Sequence, residues 1–354
     1  MKAHFRRAMR LLTRTSILGR ALCCLGPAGR LLSLSILLFL VTASANAATF
    51  VVTKTEDTND GVCDADCSLR EAFGAANAAI DADTIDFDST VFGTMPRTIG
   101  GTQLVAAGLT NLTVNGPGPG LLSVSGNGLS RVILVEPQAN ATISGLRIIG
   151  GEVTLNEDGA GLRAQVSTVT LNNVIFENNR TNSEGGAIYD VQGVITINNC
   201  TFINNFAGVE GGALDSDTFT STFPVVRISN STFTNNSTNG SGGALSGAYD
   251  LQVSNSSFAN NSAMMSGGAS VGGTFTNVTF TNNRAQNGDG GALFGGRIAN
   301  STFTGNTAGN RGGAISYVEE GGQPITIETC AFNMNSAVQD GGAIYQFRQN
   351  MVIN

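Results

Sequence analysis

Hydrophobic and polar residues alternate over short runs through most of the chain after residue 81. Val194-Ile195-Thr196-Ile197 and Pro324-Ile325-Thr326-Ile327 are typical of these runs. Alternation with a period of two predicts strands, because successive side chains of a strand point to opposite faces. No apolar stripe of helical length occurs in this part of the sequence. The pattern therefore predicts an all-β chain built from short strands.

A phenylalanine followed three residues later by an asparagine recurs seven times. These pairs are Phe176 and Asn179, Phe202 and Asn205, Phe233 and Asn236, Phe258 and Asn261, Phe280 and Asn283, Phe303 and Asn306, and Phe332 and Asn335. Each pair is followed by two glycines and an alanine, the glycines being Gly185 and Gly186, Gly211 and Gly212, Gly242 and Gly243, Gly267 and Gly268, Gly290 and Gly291, Gly312 and Gly313, and Gly341 and Gly342.

The spacing within the repeat is fixed, whereas the spacing between repeats varies. From phenylalanine to the first glycine is nine residues in six copies and ten in one, but successive phenylalanines lie 22 to 31 residues apart. Three short strands in this length match one turn of a parallel β-solenoid. Coils stacked about 4.8 Å apart would align the phenylalanines in an inner column and the asparagines in a hydrogen-bonded ladder at a bend. The glycines would permit positive φ and close contact between coils.

The predicted solenoid extends over residues 101–354, with the seven repeats starting at about residue 170 and worn coils before them. Residues 48–100 are predicted to form an N-terminal cap and the first strands, because a solenoid needs its apolar end covered. Ser68 and Glu71 have the spacing of a helix capping box. An amphipathic helix is expected over Leu69–Ile80, its apolar face formed by Leu69, Ala72, Phe73, Ala76 and Ile80.

Four cysteines after residue 60 predict one small disulfide and two free thiols. Cys63 and Cys67 lie close together, and we expect them to pair in an oxidising compartment. Cys200 and Cys330 both precede a repeat phenylalanine by two residues, so both should point inward. Five coils would separate them by about 24 Å, too far for a disulfide, which needs Cα atoms within about 7 Å. We therefore expect two buried, free thiols.

An acidic segment beside the first cysteine pair is a weak candidate for Ca²⁺. Its carboxylates are Asp57, Asp60, Asp64 and Asp66. Oxygen ligands of this kind suit Ca²⁺, but the EF-hand pattern fails, because Cys67 stands where the bidentate glutamate belongs. A solvated acidic turn is the favoured interpretation, and no metal ligand or other cofactor is assigned.

Residues 1–47 have the features of a secretory signal peptide. They hold seven basic and no acidic residues, and Leu31–Val41 is a run of eleven largely apolar residues. Ala45-Asn46-Ala47 then supplies a small-residue cleavage site. Eleven residues of helix would extend about 16 Å, against a membrane core of roughly 30 Å. We therefore expect cleavage after Ala47 and export of the remainder.

The remainder is acidic, which excludes several classes of function. Residues 48–354 carry 12 basic and 26 acidic residues, a net charge of −14, and the single histidine, His4, precedes them. Nucleic acid is disfavoured as a partner, because phosphate binding needs a basic surface. Histidine-based catalysis and histidine metal sites are excluded after residue 47.

The sequence resembles two groups of bacterial surface proteins. Cys67-Ser68-Leu69-Arg70-Glu71-Ala72 resembles the CSLREA domain found at the start of bacterial secreted surface proteins. The Phe-x-x-Asn and Gly-Gly-Ala repeats resemble those of chlamydial polymorphic outer membrane proteins. Together these resemblances cover about residues 50–354. They imply a right-handed parallel β-helix of the pectin-lyase-like kind, on the surface of a bacterium or released from it, and a role in adhesion.

Catalytic chemistry is harder to find in the repeats. The nearest candidate is Asp190, Asp215 and Asp217, a few residues after Gly-Gly-Ala in two successive coils, which stacking could bring together with Arg227. A polar surface is the favoured interpretation of these residues, so no catalytic residue is assigned. A polysaccharide lyase or hydrolase on the same fold is the alternative function, since fold does not decide function.

We expect a non-enzymatic, adhesin-like scaffold that is extracellular or displayed at the bacterial cell surface or outer membrane. Its partner would be a surface protein or glycan of a host or neighbouring cell. Loops on a rigid scaffold often carry recognition, so Thr218–Pro224 and Val318–Pro324 are the predicted contacts. Met351-Val352-Ile353-Asn354 aligns with Ile195–Asn198 inside a repeat. We therefore expect a fragment or truncated product, with any membrane association through a missing C-terminal part.

Overall fold

The computed structural model describes residues 47–78, 81–108, 111–154, 157–217, 224–247, 250–317, 325–347 and 351–353. The predicted signal peptide lies outside the described residues, apart from Ala47. Residues 47–354 form one compact unit. This unit is a parallel β-solenoid of about nine turns, and the predicted fold class is confirmed. Neither helix in the described part of the chain is long and apolar enough to cross a membrane.

From residue 140 onward each coil passes in turn through four sheets, and each strand pairs in parallel with its equivalent in the next coil. Sheet 1 contains β1 (Thr49–Val52), β2 (Thr84–Phe87), β5 (Asn111–Asn115), β8 (Asn140–Ser144), β12 (Thr168–Asn172), β16 (Val194–Asn198), β20 (Val225–Ser229), β24 (Asp250–Ser254), β28 (Thr274–Thr276), β32 (Arg297–Ala299), β36 (Ile325–Glu328) and β40 (Met351–Ile353). Sheet 2 contains β3 (Arg97–Gly100), β6 (Leu122–Ser125), β9 (Arg147–Ile149), β13 (Ile175–Glu177), β17 (Thr201–Ile203), β21 (Thr232–Thr234), β25 (Ser257–Ala259), β29 (Thr279–Thr281), β33 (Thr302–Thr304) and β37 (Ala331–Asn333).

The other two sheets lie on either side of the Gly-Gly-Ala turns. Sheet 3 contains β10 (Glu152–Val153), β14 (Arg180–Thr181), β18 (Phe206–Ala207), β22 (Ser237–Thr238), β26 (Ser262–Ala263), β30 (Arg284–Ala285), β34 (Thr307–Ala308) and β38 (Ser336–Ala337). Sheet 4 contains β4 (Leu104–Ala106), β7 (Ile133–Val135), β11 (Leu162–Gln165), β15 (Ile188–Val191), β19 (Leu214–Asp217), β23 (Leu245–Ser246), β27 (Ser270–Val271), β31 (Leu293–Phe294), β35 (Ile315–Tyr317) and β39 (Ile344–Gln346).

The capping helix, α1, extends over Leu69–Ala76 and begins with the expected capping box, in which Ser68 and Glu71 bond to each other's backbone N–H. Leu69, Ala72, Phe73 and Ala76 are buried. Asn77 ends the helix earlier than predicted, because its side chain bonds to the backbone of Val105 and Ala107 instead of facing solvent. A second helix, α2 (Ser89–Phe92), was not predicted; Asp88 caps it by accepting a bond from the Thr90 N–H.

The repeat phenylalanines form a continuous stack inside the solenoid. Neighbouring rings are nearly parallel, with centroids 4.6 to 5.2 Å apart from Phe176 to Phe332. All are buried except Phe332, which is partly exposed. Offset stacking of this kind adds about 0.5–1.5 kcal/mol per pair beyond simple burial. The column therefore joins every repeat to the next.

The repeat asparagines form a hydrogen-bonded ladder beside the phenylalanines. Asn205 is representative: its amide nitrogen donates to Oδ1 of Asn236 in the next coil (3.0 Å) and to the carbonyl of Phe176 in the preceding coil (3.0 Å). Its own Oδ1 accepts from both the backbone N–H and the amide of Asn179. The same pattern continues to Asn335. Every polar atom of the buried amide is thereby bonded, which removes the cost of burying it.

A second asparagine column, at the turn just before the ladder, was not predicted. Its members have φ between 54° and 57° and are Asn178, Asn204, Asn235, Asn260 and Asn282, with Gly305 and Met334 continuing the column at φ 66° and 51°. Asparagine adopts this left-handed backbone conformation more readily than other residues with a Cβ. The asparagine doublet thus has two separate causes, a turn for its first member and a buried amide for its second.

The two glycines of a repeat that another coil covers are required for different reasons. Gly211 has φ of 60°, a conformation that glycine adopts without steric cost. Gly212 has no such conformation, but a Cβ at this position would overlap the carbonyl oxygen of Gly243 in the next coil. The first glycine makes the turn, and the second permits the coils to approach.

The cysteines differ from expectation at one position. Cys63 and Cys67 form a disulfide, and Cys200 is a buried free thiol. Cys330 is also free but only partly buried, so the prediction of a second buried thiol is wrong. It precedes β37, the last strand of sheet 2 in the described part of the chain, and therefore lacks the covering coil that Cys200 has.

Substituting Gly212 with alanine tests the close approach of the coils. Because the added methyl group meets backbone on the next coil, we expect the free energy of unfolding to fall by about 2 kcal/mol or more. Gly342 occupies the same place in its repeat, but the nearest atom to a Cβ there is 3.8 Å away. Gly342→Ala is therefore the matched control. Equal effects of the two substitutions in denaturant unfolding would contradict this role.

Substituting Asn236 with alanine tests the ladder. The change removes the oxygen that accepts hydrogen bonds from the backbone N–H and the amide of Asn205. It also removes the amide that donates to the Phe202 carbonyl. We expect a loss of about 3 kcal/mol or more, since each buried group left without a partner costs about 1–3 kcal/mol. Asn239→Ala, at an exposed asparagine of the same coil, should change the unfolding free energy by less than about 0.5 kcal/mol. Similar unfolding curves for the two variants would argue against the ladder as a source of stability.

Candidate functional site

Three carboxylates from two successive coils converge at sheet 4. Glu184 lies directly before the first glycine of its repeat, and Asp215 and Asp217 lie on β19 of the next coil. One oxygen from each side chain lies within 4.8 Å of an oxygen from each of the others. We call Glu184, Asp215 and Asp217 the acidic cluster.

The register of sheet 4 places these side chains together. β15 and β19 pair so that Tyr189 is opposite Asp215 and Val191 is opposite Asp217. Residues two apart on a strand share a face, so Asp215 and Asp217 lie on the side occupied by Tyr189. The Tyr189 hydroxyl donates a hydrogen bond to Oδ2 of Asp217 at 3.2 Å. The Gly-Gly turn brings Glu184 to the same side.

The cluster concentrates negative charge in a partly closed environment. Asp215 is 2% exposed, and burial, followed by the charges of Asp217 and Glu184, holds its pKa well above the usual range. Burial is also the main cause that raises the pKa of Glu184 to about 7, with Asp217 and Asp158 adding to the effect. Oδ1 of Asp215 has no hydrogen-bond partner among the described residues. The arrangement therefore requires a compensating proton or cation.

The predicted acidic group was partly wrong. Asp190 lies on the opposite face of sheet 4, where it accepts a hydrogen bond from the Ser216 hydroxyl at 3.0 Å. Arg227 is on sheet 1 and pairs with Asp250, with Nη2 and Oδ2 2.6 Å apart. Asp190 is separated from the cluster because alternate residues of a strand face opposite sides of the sheet. Arg227 is separated from it by the corner between sheets 4 and 1. Glu184, which was not part of the predicted group, takes their place.

The acidic residues beside the disulfide do not converge on one point. Asp57 forms a two-fold hydrogen-bonded pair with Arg70, and Asp66 pairs with Lys54 at 3.0 Å. Asp60 and Asp64 each accept a bond from a backbone N–H two residues later. These carboxylates stabilise the cap and its loop. Within the described residues, they do not form a group that could share a metal ion.

An open groove lies at the corner between sheets 4 and 1. Its volume is about 310 Å³, and Phe294, Tyr317, Asp250 and Arg297 are among the side chains that line it. We call this the corner groove. The two predicted contact loops, Thr218–Pro224 and Val318–Pro324, lie outside the described residues, apart from Pro224.

Pairs of glycines form the floor of the corner groove. Gly272 and Gly273 connect β27 to β28, and Gly295 and Gly296 connect β31 to β32, all four with positive φ. Each of these glycine pairs is a connection of only two residues, which makes a tight corner. The equivalent connection between β35 and β36 has seven residues. The sequence signal for this site was a second Gly-Gly pair in two successive repeats, which sequence reasoning overlooked.

Five stretches of the chain match the model of the Chlamydia polymorphic membrane protein repeat, namely residues 173–190, 199–217, 230–248, 277–296 and 300–317. The solenoid therefore carries polymorphic membrane protein repeats. Each matched stretch begins at or near the turn before a repeat phenylalanine and extends to sheet 4. No curated protein and no solved structure shows a significant match to the chain. The resemblances to the CSLREA domain and to pectin lyases stay predictions.

The polymorphic membrane protein repeats locate both sites. The acidic cluster joins the first two matched stretches, since Glu184 lies in one and Asp215 and Asp217 lie in the other. Phe294 lies two residues before the end of its matched stretch. The corner groove is therefore located where the repeat pattern gives way to variable connections. Asp215 and Asp217 in the acidic cluster, and the second glycine pairs of the corner groove, are not part of the shared Phe-x-x-Asn and Gly-Gly-Ala pattern.

The buried Asp190 predicts a pH dependence of stability. Burial is the main cause that raises its pKa to about 6, and the Ser216 hydrogen bond offsets part of this rise. The folded state therefore holds its proton to higher pH than the unfolded state. This contribution is present below the unfolded pKa of about 4 and is lost as pH rises through 6, a change of roughly 2–3 kcal/mol.

Asp190→Asn should remove that dependence. The variant should be more stable than the natural chain at pH 7 and should show a flatter free energy of unfolding between pH 4 and 7. Glu56→Gln, at an exposed carboxylate of the cap, is the control and should leave the profile unchanged. Parallel profiles for Asp190→Asn and the natural chain would show that Asp190 does not carry this effect.

Proposed function

We propose that this protein is an exported binding scaffold displayed at a bacterial surface, and that the corner groove binds a glycan. The polymorphic membrane protein family is an outer-membrane and surface family, and the expected signal peptide supports export. A rigid solenoid presents its connections at fixed positions. The observation that carries the proposal is the combination of aromatic and charged side chains in the corner groove.

The chemistry of the corner groove suits a sugar. A sugar ring offers an apolar face of C–H groups and an edge of hydroxyls, and binding pockets combine aromatic walls with a few placed polar groups. Phe294 and Tyr317 supply aromatic rings. Tyr317 lies over Gly295, with its Cε2 4.0 Å from the position that a Cβ on Gly295 would occupy. Arg297 and Asp250 supply a donor and an acceptor.

Binding is favoured over cleavage by the state of Asp250. It is the one carboxylate among the described residues that line the corner groove. The hydrogen bond from Arg227 is the main cause that lowers its pKa, which keeps it ionised and unsuited to act as a general acid. Hydrolysis of a glycosidic bond uses a pair of carboxyl groups, one of them protonated. A surface protein as partner, and a lyase or hydrolase activity, remain the alternatives.

A glycan array with the full chain tests this proposal. We expect retention on a limited set of glycans without release of cleaved product. Phe294→Ala and Arg297→Ala should each weaken binding at least ten-fold, because they remove the ring and the donor. Phe206→Ala is the matched control: this partly exposed ring lies on sheet 3, stacked with Arg180, and its loss should not change retention.

Two results would overturn the proposal. Retention of no glycan, or equal retention by the natural chain and both groove variants, would exclude the corner groove as a glycan site. Release of shortened product from a retained glycan would replace binding with the enzymatic alternative. Folding of each variant is checked by its unfolding midpoint, so that loss of binding is not confused with loss of structure.

A further inference from the structure

We infer that Glu184, Asp215 and Asp217 bind one calcium ion, which joins two successive coils on the side of sheet 4 opposite the solenoid interior. The acidic cluster is separate from the corner groove, and this inference does not depend on glycan binding. It rests on the position of the three carboxylates, on the burial of Asp215 and on the absence of a basic partner.

The first observation is an unpartnered carboxylate oxygen in a buried side chain. Asp215 is 2% exposed, and its Oδ1 has no hydrogen-bond partner among the described residues. Burial of an ionised carboxylate is costly unless the charge is paired or coordinates a metal. The same side chain has an oxygen within 4.8 Å of oxygens from both Glu184 and Asp217. The side chain of Asp215 therefore combines a buried, unpartnered oxygen with an oxygen of the shared group.

The surrounding groups do not supply the missing positive charge. The structure has no ion pair between a described lysine or arginine and any member of the acidic cluster. Arg131 bonds to Glu157 and to the carbonyl of Gly159, and Arg163 lies over the Tyr189 ring at 5.8 Å. On the neighbouring strand β23, the Ser246 hydroxyl donates a hydrogen bond to Oε2 of Glu210, with the two oxygens 2.7 Å apart.

A proton alone does not satisfy the cluster. Protons on the cluster would lower its charge but would leave Oδ1 of Asp215 buried without a hydrogen-bond partner among the described residues. Asp158 and Glu210 add negative charge around the cluster. A divalent cation can neutralise two carboxylates at once and accept ligand atoms from all three. It therefore accounts for both the charge and the unpartnered oxygen.

The donor atoms and their arrangement favour calcium. All three ligands are carboxylate oxygens, and hard cations such as Ca²⁺ and Mg²⁺ prefer such ligands to the nitrogen and sulfur that suit many transition metals. Ca²⁺ accepts several protein oxygens in flexible geometry, whereas Mg²⁺ demands near-ideal octahedral geometry and usually keeps several waters. Three carboxylates drawn from a turn and a strand of two coils suit the more flexible ion.

Calorimetric titration of the full chain with CaCl₂ at constant ionic strength tests the inference. We expect one site with a dissociation constant of about 0.1–1 mM, the range of extracellular calcium modules. Glu184→Gln, Asp215→Asn and Asp217→Asn should each weaken binding at least ten-fold. Asp340→Asn is the matched control, because Asp340 also precedes the glycine pair of its repeat but is exposed; it should bind Ca²⁺ like the natural chain.

Thermal unfolding separates a metal ligand from a merely structural residue. Ca²⁺ should raise the unfolding midpoint of the natural chain and of Asp340→Asn, but not that of Asp215→Asn. Without Ca²⁺, Asp215→Asn should be at least as stable as the natural chain, because a neutral amide can be buried here without a compensating proton or cation. A residue needed only for packing would instead lower the midpoint in both conditions.

Three outcomes would overturn the inference. The first is the absence of both binding heat and a midpoint shift at 10 mM Ca²⁺, which exceeds the expected dissociation constant roughly ten-fold or more. The second is undiminished binding in all three cluster variants, with loss in Asp60→Asn, which would place the site beside the disulfide. The third is equal affinity for Mg²⁺ and Ca²⁺, which would indicate general attraction of cations to an acidic surface.

Discussion

The structure depends on parallel pairing of each strand with its own equivalent one coil away. This pairing holds the register fixed, so identical positions recur at the spacing of strands in a sheet, about 4.8 Å. The interior must therefore be built from residues that pack well against copies of themselves. Phenylalanine stacks on phenylalanine, and an asparagine amide can both donate to and accept from another asparagine. Glycine permits another glycine to approach its backbone.

The same constraint explains how far the fold could be predicted from the sequence. Side chains that recur at a fixed spacing, such as Phe202 and Asn205, reveal columns, and columns imply a parallel solenoid. Backbone conformation leaves a weaker signal. The left-handed turn at Asn204 looks in the sequence like part of the ladder, because both members of the doublet are asparagine. The partial exposure of Cys330 also could not be predicted from the motif. Cys330 has the same motif position as Cys200, but it is not covered by the same strands.

The sites were less predictable, because they depend on where the sequence departs from its repeat. Sequence reasoning placed Asp215 and Asp217 together because both follow a Gly-Gly-Ala motif within a few residues. It could not place Glu184, which belongs to a turn whose direction is set by the glycine beside it. It also grouped Arg227 with these residues, because stacking suggests nearness between coils but does not show which sheet of a coil a residue occupies. Knowledge of the four sheets was needed to assign Arg227 to Asp250.

A charge is the least suitable residue for a column, because an ionised carboxylate repels its own copy in the next coil. The exposed turns of the solenoid tolerate acidic residues, since water screens them. At sheet 4 the chain instead places Asp215 in a buried position beside Tyr189, with Glu184 and Asp217 within reach. Hydrophobic or hydroxyl residues at this place would satisfy the rule of self-compatible columns, as Ser246 does one coil further on. The departure from that rule is confined to the coils that share the acidic cluster, so its cause is local. A bound cation reverses the repulsion, because three carboxylates that repel one another all attract the same ion, and the junction between the two coils then becomes a crosslink.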